Sequence, residues 1–207
     1  MGTPRAVLFD LGGVLLNVDL KSAFDSWARH SHLTSDEVAA RFRALPFLED
    51  HERGRVDDAT FFAHLRRELE LSASTEVVES AWNSVFVSEI GVTRRLLQRA
   101  RLVVPCFALT NTTASHLAAW PSQFPDLRAC FDQVFASFQI GRRKPEAEAF
   151  NGACVAIGQR PQDVLFFDDS ATNAAAAEAV GLQAVLVRGP ADVQDALRKH
   201  GFLQAEA

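Results

Sequence analysis

The fold of this chain is decided by residues 6–15, AVLFDLGGVL. The four apolar residues at the start are typical of a buried β-strand, and the run ends at Asp10. Leu11 and two glycines follow, which indicates a turn. A strand that delivers one carboxylate onto such a turn places it where backbone N–H groups can surround a phosphate. Asp10 is therefore a candidate nucleophile, and the backbone at Leu11 and Gly12 is a candidate substrate-binding turn.

A second acidic strand end lies far along the chain. The apolar run at residues 164–167 is followed directly by Asp168 and Asp169. Two strands that each end in acid make a paired site for a hard cation, and Mg²⁺ prefers oxygen ligands. Asp10, Asp168 and Asp169 are therefore candidate metal ligands.

Composition sets limits on the class of protein. A chain of 207 residues suits one domain with a sizeable insertion, or two small domains that share a core. The net charge of −5 argues against a nucleic-acid or anionic-membrane partner. The apolar runs are shorter than the ~20 residues of a membrane span. Asp10 interrupts the only early apolar segment, so no signal peptide is predicted.

The cysteines point to a reducing compartment. Cys106, Cys130 and Cys154 lie too far apart for a zinc knuckle or a C-x-x-C redox pair. An odd number without local pairing favours the cytoplasm. We expect all three to be small core residues.

Five apolar runs predict the strands of a sheet: 6–9, 103–109, 133–136, 164–167 and 184–187. Helical patterns alternate with them from the second run onward. Pro145 marks the start of a helix that continues over 146–157, and the alanine-rich segment 173–180 predicts a helix that ends at Gly181. Strands linked in this way form a doubly wound parallel sheet of the α/β class, which binds its ligand at the carboxyl ends of the strands.

The segment 17–90 has a different pattern. It contains four amphipathic helical stripes and no strand pattern, and Thr34 and Glu37 form a candidate capping box. We expect an all-helical cap at 17–90, inserted into a core formed by 1–16 and 91–207. A helical lid beside the catalytic edge of a sheet can exclude water and select the substrate.

Four ordered motifs carry a resemblance to a known family: FDLGGVL at 9–15, LTNT at 109–112, RKPE at 143–146 and FDDS at 167–170. Together they resemble the motifs of the haloacid dehalogenase (HAD) superfamily, whose core is a Rossmann-like sheet. The helical insertion resembles the cap of its subfamily IA phosphatases. Within that superfamily the chain looks most like bacterial α-D-glucose-1-phosphatases, on three segments: HERG at 51–54, NT at 111–112 and WP at 120–121.

The resemblance implies a phosphatase that forms an aspartyl-phosphate on Asp10, which water then hydrolyses. It also implies a Mg²⁺ ion held by Asp10, the carbonyl of Gly12 and Asp169, with Asp168 as a ligand or an outer-shell acceptor. A carboxylate is a weak nucleophile and needs a cation to neutralise its dianionic target.

Three more residues would hold the phosphoryl group. Thr110 and Asn111 offer a hydroxyl and an amide N–H, and Lys144 would place a point charge beside both Asp10 and the phosphate. Asn173 either braces the Asp168 loop or caps the following helix.

Gly12 departs from the usual pattern of these phosphatases, in which a second aspartate acts as general acid and base two positions after the nucleophile. Such a group contributes roughly 10²–10⁴ in rate. An anomeric oxygen is a better leaving group than an ordinary sugar alcohol and needs less protonation. Gly12 is therefore compatible with a sugar 1-phosphate such as α-D-glucose 1-phosphate.

Two other functions remain open: hydrolysis of a 2-haloacid, which uses the same aspartate without magnesium, and a non-catalytic phosphate-binding module. In the cap, His51, Glu52 and Arg53 could face sugar hydroxyls. Trp82 is either a stacking face or a core residue, and His116 is expected to be incidental. We expect a small phosphorylated substrate and a monomer or homodimer.

Overall fold

The computed structural model describes residues 2–203. Within this range the strands are β1 (Ala6–Phe9), β2 (Leu16–Val18), β3 (Phe86–Glu89), β4 (Cys106–Thr110), β5 (Gln133–Ala136), β6 (Val164–Asp168) and β7 (Gln183–Leu186).

The helices of the same range divide between the insertion and the core. Those between β2 and β3 are α1 (Leu20–Ala28), α2 (Ser35–Arg43), α3 (Phe47–Glu52), α4 (Asp58–Glu68) and α5 (Thr75–Asn83). Those that follow β3 are α6 (Gly91–Ala100), α7 (Ala114–Gln123), α8 (Pro125–Arg128), α9 (Ser137–Ile140), α10 (Ala147–Ile157), α11 (Ala171–Ala179) and α12 (Pro190–Lys199), with a 3₁₀ turn at Pro161–Asp163.

The central sheet is parallel, and β1 lies in its middle. Its strand order is β5-β4-β1-β6-β7. Leu8 pairs with Phe107 of β4 on one side and with Phe166 of β6 on the other. The chain runs outward from β1 through β4 to β5, then crosses to β6 and β7 on the other side. The predicted doubly wound fold is confirmed, and the direction of winding changes at β1, where such sheets bind their ligands.

Side chains of β1 alternate between the two faces of the sheet, as the period of a strand requires. Val7 and Phe9 belong to one core cluster, together with residues of α6, α7 and α12. Ala6 and Leu8 belong to the other, with residues of α10 and α11. All four side chains are fully buried. Helices therefore cover both faces of β1, and only the strand end is available for a site.

The predicted strand over 103–109 begins three residues late. The N–H groups of Val103 and Val104 both donate to the carbonyl of Ala100, which closes the end of α6. These two β-branched residues thus complete a helix terminus, and the strand starts at Cys106 after Pro105. Cys106, Cys130 and Cys154 are all buried in the cores, as predicted.

The segment 17–90 folds around a core of its own. Its five helices bury an aromatic cluster that includes Trp27, Phe42 and Trp82, with ring centroids 5.7–6.2 Å apart. The capping box of Thr34 and Glu37 is present at the start of α2. We propose that this segment is a cap domain on a core formed by 1–16 and 91–207.

The expectation that the insertion contains no strand is wrong at its two ends. β2 and β3 pair as an antiparallel ribbon, with Leu16 opposite Glu89 and Asn17 opposite Ser88. The ribbon is mostly exposed, and its strands of three and four residues are too short for their periodicity to reveal them. In residues 2–203, no helix has both the length and the apolar character needed to cross a membrane.

Replacement of Ala177 by leucine should destabilise the fold by about 1–3 kcal/mol, because this fully buried alanine lets α11 approach the sheet closely. Ala175→Leu, on the exposed side of the same helix, is the matched control and should change the free energy of unfolding by less than about 0.5 kcal/mol. Urea denaturation measures both. Equal stability of the two variants would contradict the close packing of α11.

Candidate active site

Three carboxylates meet at the carboxyl edge of the central sheet. Asp10 follows β1, Asp168 ends β6 and Asp169 comes next in the chain. Each offers an oxygen within 4.8 Å of the others. The arrangement follows from the strand register, because neighbouring parallel strands that end at the same level bring their terminal residues together.

Lys144 lies between two of these carboxylates. Its Nζ is 2.8 Å from Oδ1 of Asp10 and 2.7 Å from Oδ2 of Asp168, and only 1% of its side chain is exposed. Burial opposes the charge of this ammonium, but the two carboxylates outweigh that effect and raise the pKa of Lys144. Burial also raises the pKa of Asp10 to about 6, although the attraction of Lys144 opposes the rise. The lysine is therefore a fixed cation beside the candidate nucleophile.

Asn111 holds the main chain of Lys144. Its Nδ2 donates to the Lys144 carbonyl at 2.9 Å, and its Oδ1 accepts from the Lys144 N–H at 2.8 Å. Asn111 is a predicted substrate-binding residue, but its side-chain amide is occupied by these two hydrogen bonds to the protein. Its backbone stays at the end of β4, next to the buried Thr110.

Asp168 is saturated by protein donors. Its Oδ1 accepts from the N–H of Ser170 at 2.9 Å and from Nδ2 of Asn173 at 3.0 Å, while Lys144 holds Oδ2. Ser170 caps α11, so Asn173 braces the loop and does not cap the helix. Asp169, in contrast, is exposed. Its carboxyl is nevertheless partly desolvated beneath the cavity, which raises the pKa of Asp169, and the charge of Asp168 adds to the effect.

The turn after β1 is shaped around these acids. The N–H of Leu11 donates to Oδ1 of Asp10 at 2.7 Å. Gly13 has φ +68°, and a Cβ atom there would collide with the Asp169 carboxylate. Glycine is therefore required for both the backbone conformation and the close approach.

A cavity of about 500 Å³ opens above the acids and separates them from the insertion. Core residues on its floor include Asp10, Thr110, Lys144 and Asp169. Its other wall consists of residues of the insertion and the ribbon: Asn17, Val18, Leu20, Phe42, Leu48, Glu52, Trp82, Val85 and Phe86. The site is therefore a charged floor beneath a largely apolar roof.

Of the three polar residues expected to face a sugar from the cap, only Glu52 lines the cavity. His51 is buried, bonds Asp58 at 2.7 Å and stacks on Phe61. Arg53 points to the core and pairs with Glu146 at 2.7 Å. The expectation is therefore wrong for His51 and Arg53, whose positions depend on the packing of α3.

His116 joins the core to the insertion, a role that no pattern in the sequence indicates. Its ring stacks on Trp82 with centroids 4.3 Å apart, and Nε2 lies 3.0 Å from the Trp82 carbonyl. Burial lowers the pKa of His116 to about 4, so the ring is neutral at physiological pH. Trp82 itself is 4% exposed, which places it in the core of the insertion at the cavity wall.

A candidate nucleophile, a buried lysine and an exposed aspartate meet at one edge of a doubly wound sheet, and comparison with known proteins identifies the family. Residues 4–181 match the haloacid dehalogenase-like hydrolases. The chain is 31% identical to a phosphatase of Mycobacterium tuberculosis, over 92% of this chain and 90% of that protein. The chain belongs to the haloacid dehalogenase-like hydrolase family, which confirms the resemblance at the level of the superfamily.

Two comparisons involve Bacteroides thetaiotaomicron. The chain is 22% identical to its D-ribitol-5-phosphate phosphatase, over 91% of this chain and 94% of that enzyme. A crystal structure of a HAD family enzyme from this organism, in complex with magnesium and inorganic phosphate, is similar with a TM-score of 0.78 and 25% identity. That similarity covers 87% of this chain and 92% of the other.

Replacement of Lys144 by methionine should cost about 3–5 kcal/mol of stability in chelator-treated protein, because two buried carboxylates lose their common cation. Lys199→Met, at the exposed end of α12, is the control and should change stability by less than about 0.5 kcal/mol. Denaturant unfolding at pH 7 measures the difference. Equal stability would show that Lys144 does not neutralise the pair.

Proposed function

We propose that this protein is a Mg²⁺-dependent phosphomonoesterase that acts on a small sugar phosphate. The observation that carries this proposal is the asymmetric environment of Asp10. Lys144 and the Leu11 N–H both hold Oδ1, and Oδ2 makes no hydrogen bond within the described residues. Asp10 is therefore oriented through one oxygen, and the other stays free of protein donors in this part of the chain, so the carboxylate can serve both a metal ion and the attack on phosphorus.

The reaction takes place in two displacements at phosphorus. A carboxylate oxygen of Asp10 forms a bond to phosphorus while the ester P–O bond breaks, and the departing alkoxide takes a proton from water and leaves hydroxide. The oxygen of a water molecule then bonds to phosphorus while the P–O bond to Asp10 breaks, and the hydroxide left by the first step takes the proton of that water. Inorganic phosphate leaves and the Asp10 carboxylate is regenerated. Lys144 stabilises the negative charge in both steps, because its ammonium is fixed in a site shielded from water.

The donor set fits a magnesium ion. We assign Asp10, Asp169 and the Gly12 carbonyl as its protein ligands, since oxygen donors with few protein contacts suit Mg²⁺. Bound magnesium supplies positive charge to the phosphoryl oxygens. Asp168, one of the sequence candidates for a ligand, has both oxygens engaged by Lys144, Ser170 and Asn173. We therefore assign it to positioning Lys144.

The phosphoryl oxygens are held by the groups around them on the floor of the cavity. We assign this role to Thr110, Lys144 and the backbone N–H groups of Leu11, Gly12 and Asn111. The magnesium and inorganic phosphate in the similar Bacteroides structure support the assignment. The chemistry of the related D-ribitol-5-phosphate phosphatase supports a polyhydroxylated substrate.

A sugar 1-phosphate such as α-D-glucose 1-phosphate is the substrate we propose within this class. Gly12 provides no side-chain acid two positions after the nucleophile. An anomeric alkoxide is less basic than a primary one, so its departure depends less on a protein acid.

Phosphate release from a panel of sugar phosphates tests the function. Activity should require Mg²⁺, stop with a chelator and fall by about 10³-fold or more in Asp10→Asn. Asp195→Asn, at an exposed position of α12, is the control and should retain full activity. Within the panel, kcat on α-D-glucose 1-phosphate should exceed kcat on glucose 6-phosphate.

Each other outcome of this experiment has a definite meaning. Chelator-resistant halide release from 2-haloacids would replace the phosphatase by a dehalogenase. Phosphate binding without turnover of any ester would indicate a non-catalytic module. Equal or reversed kcat values on the two glucose phosphates would remove the sugar 1-phosphate proposal and leave the phosphatase.

Gly13→Ala should weaken Mg²⁺ binding by about tenfold or more, because the added methyl group displaces the Asp169 carboxylate. Gly152→Ala in α10 is the control. A Cβ there meets nothing within 4 Å, so Mg²⁺ affinity should be unchanged and stability should rise by about 0.5–1 kcal/mol. Isothermal titration with MgCl₂ measures the affinities, and equal values in the two variants would exclude Asp169 as a ligand.

A further inference from the structure

The roof of the cavity carries one charged side chain. Among the described residues of the insertion that line the cavity, only Glu52 is charged, and its neighbours on that wall include Phe42, Leu48 and Trp82. A carboxylate is costly in such surroundings unless it is paired. Glu52 is paired, and 17% of its side chain remains exposed.

The partner of Glu52 stands behind it and outside the cavity. Arg143 donates through Nε to Oε2 of Glu52 at 2.7 Å and does not line the cavity. The same guanidinium pairs with Glu49 at 3.0 Å, and Arg53 pairs with Glu49 and Glu146. Carboxylates outnumber guanidinium groups in this cluster. Arg143 therefore orients Glu52 from outside the cavity, and the cluster as a whole keeps an excess of negative charge at this wall.

A negative charge in this position has two consequences for a bound ester. Its oxygens accept hydrogen bonds from hydroxyl groups, and charge-assisted bonds of this kind are roughly twice as strong as neutral ones. It also repels a second anion on the same molecule, since like charges in a poorly solvated site cost several kcal/mol. The two effects act on the alcohol part of the substrate, because Lys144 and Asp169 lie on the opposite side, at the floor.

We propose that Glu52 is the specificity-determining residue of this enzyme. It binds hydroxyl groups of the leaving alcohol and excludes phosphate esters whose alcohol carries a carboxylate or a second phosphate. This inference rests on the proposed phosphatase function and narrows its substrates to monophosphates of uncharged, hydroxylated alcohols.

Matched pairs of esters test the exclusion in the wild-type protein. α-D-Glucose 1-phosphate and α-D-glucuronic acid 1-phosphate differ only in a CH₂OH group against a carboxylate, and ribitol 5-phosphate and 5-phosphoribonate differ in the same way. On the pair that the enzyme hydrolyses, kcat/KM should favour the neutral ester by about tenfold or more. Equal values for the two members would overturn the proposal without any variant.

Variants at position 52 test whether Glu52 causes the preference for the neutral ester. In Glu52→Gln, which keeps an oxygen acceptor but loses the charge, the preference should fall by about tenfold. Glu52→Asp keeps the charge and should retain the preference. In Glu52→Ala, KM for the neutral ester should rise more than kcat falls, because the acceptor for the hydroxyl groups is lost.

Glu49→Gln is the matched control. Glu49 shares Arg143 with Glu52, but its side chain is 56% exposed and lies outside the cavity. This variant should keep the wild-type preference. If it relaxes the preference as much as Glu52→Gln, the effect comes from a freed Arg143 and the proposal is wrong.

Hydrolysis of p-nitrophenyl phosphate by the wild type, and its loss in Asp10→Asn, reports on the phosphatase function separately. If no ester is hydrolysed, the proposed function fails and the inference fails with it. If esters are hydrolysed but the preference does not depend on the charge at position 52, only the inference fails.

Discussion

The ammonium of Lys144, buried between Asp10 and Asp168, is the interaction on which the site depends. Without it, two carboxylates at adjacent strand ends would repel each other in surroundings that solvate them poorly. Two hydrogen bonds with the Asn111 side chain, one donated and one accepted, fix the backbone of this lysine, and Asp168 fixes its side chain. Three parts of the fold therefore meet at the Lys144 ammonium: the sheet, the loop after β4 and the segment before α10. One oxygen of Asp10 remains free of protein donors from residues 2–203.

Much of this arrangement could be predicted from the sequence because its signals are local. The strand-to-acid transitions at Asp10 and Asp168 mark the catalytic edge, and parallel pairing then places them together. The capping box at Thr34 is set within four residues of chain. Four short motifs in a fixed order are enough to identify the superfamily. Each motif supplies a charged or hydrogen-bonding group to the carboxyl edge of the central sheet.

The remaining features depend on contacts between distant segments, which periodicity does not report. The side-chain amide of Asn111 bonds to the backbone of Lys144, 33 positions along the chain. The indole of Trp82 in the proposed cap stacks on His116 in the proposed core. The orientation of α3 decides that Glu52 lines the cavity while His51 and Arg53 do not. The HERG segment does not by itself show which residue faces the cavity. Consecutive residues of a helix point about 100° apart, so the packing of the helix decides which side chain lines the site.

The ribbon of β2 and β3 has a consequence for how this architecture diversifies. Since Asn17 lies opposite Ser88, the chain enters the insertion and leaves it at points about one strand spacing, ~5 Å, apart. The five-helix segment is thus equivalent to the loop of a β-hairpin formed by β2 and β3. The entropic cost of closing a loop grows only slowly with its length. Segments of very different size and shape can therefore be exchanged at this junction while the chemistry beneath stays intact.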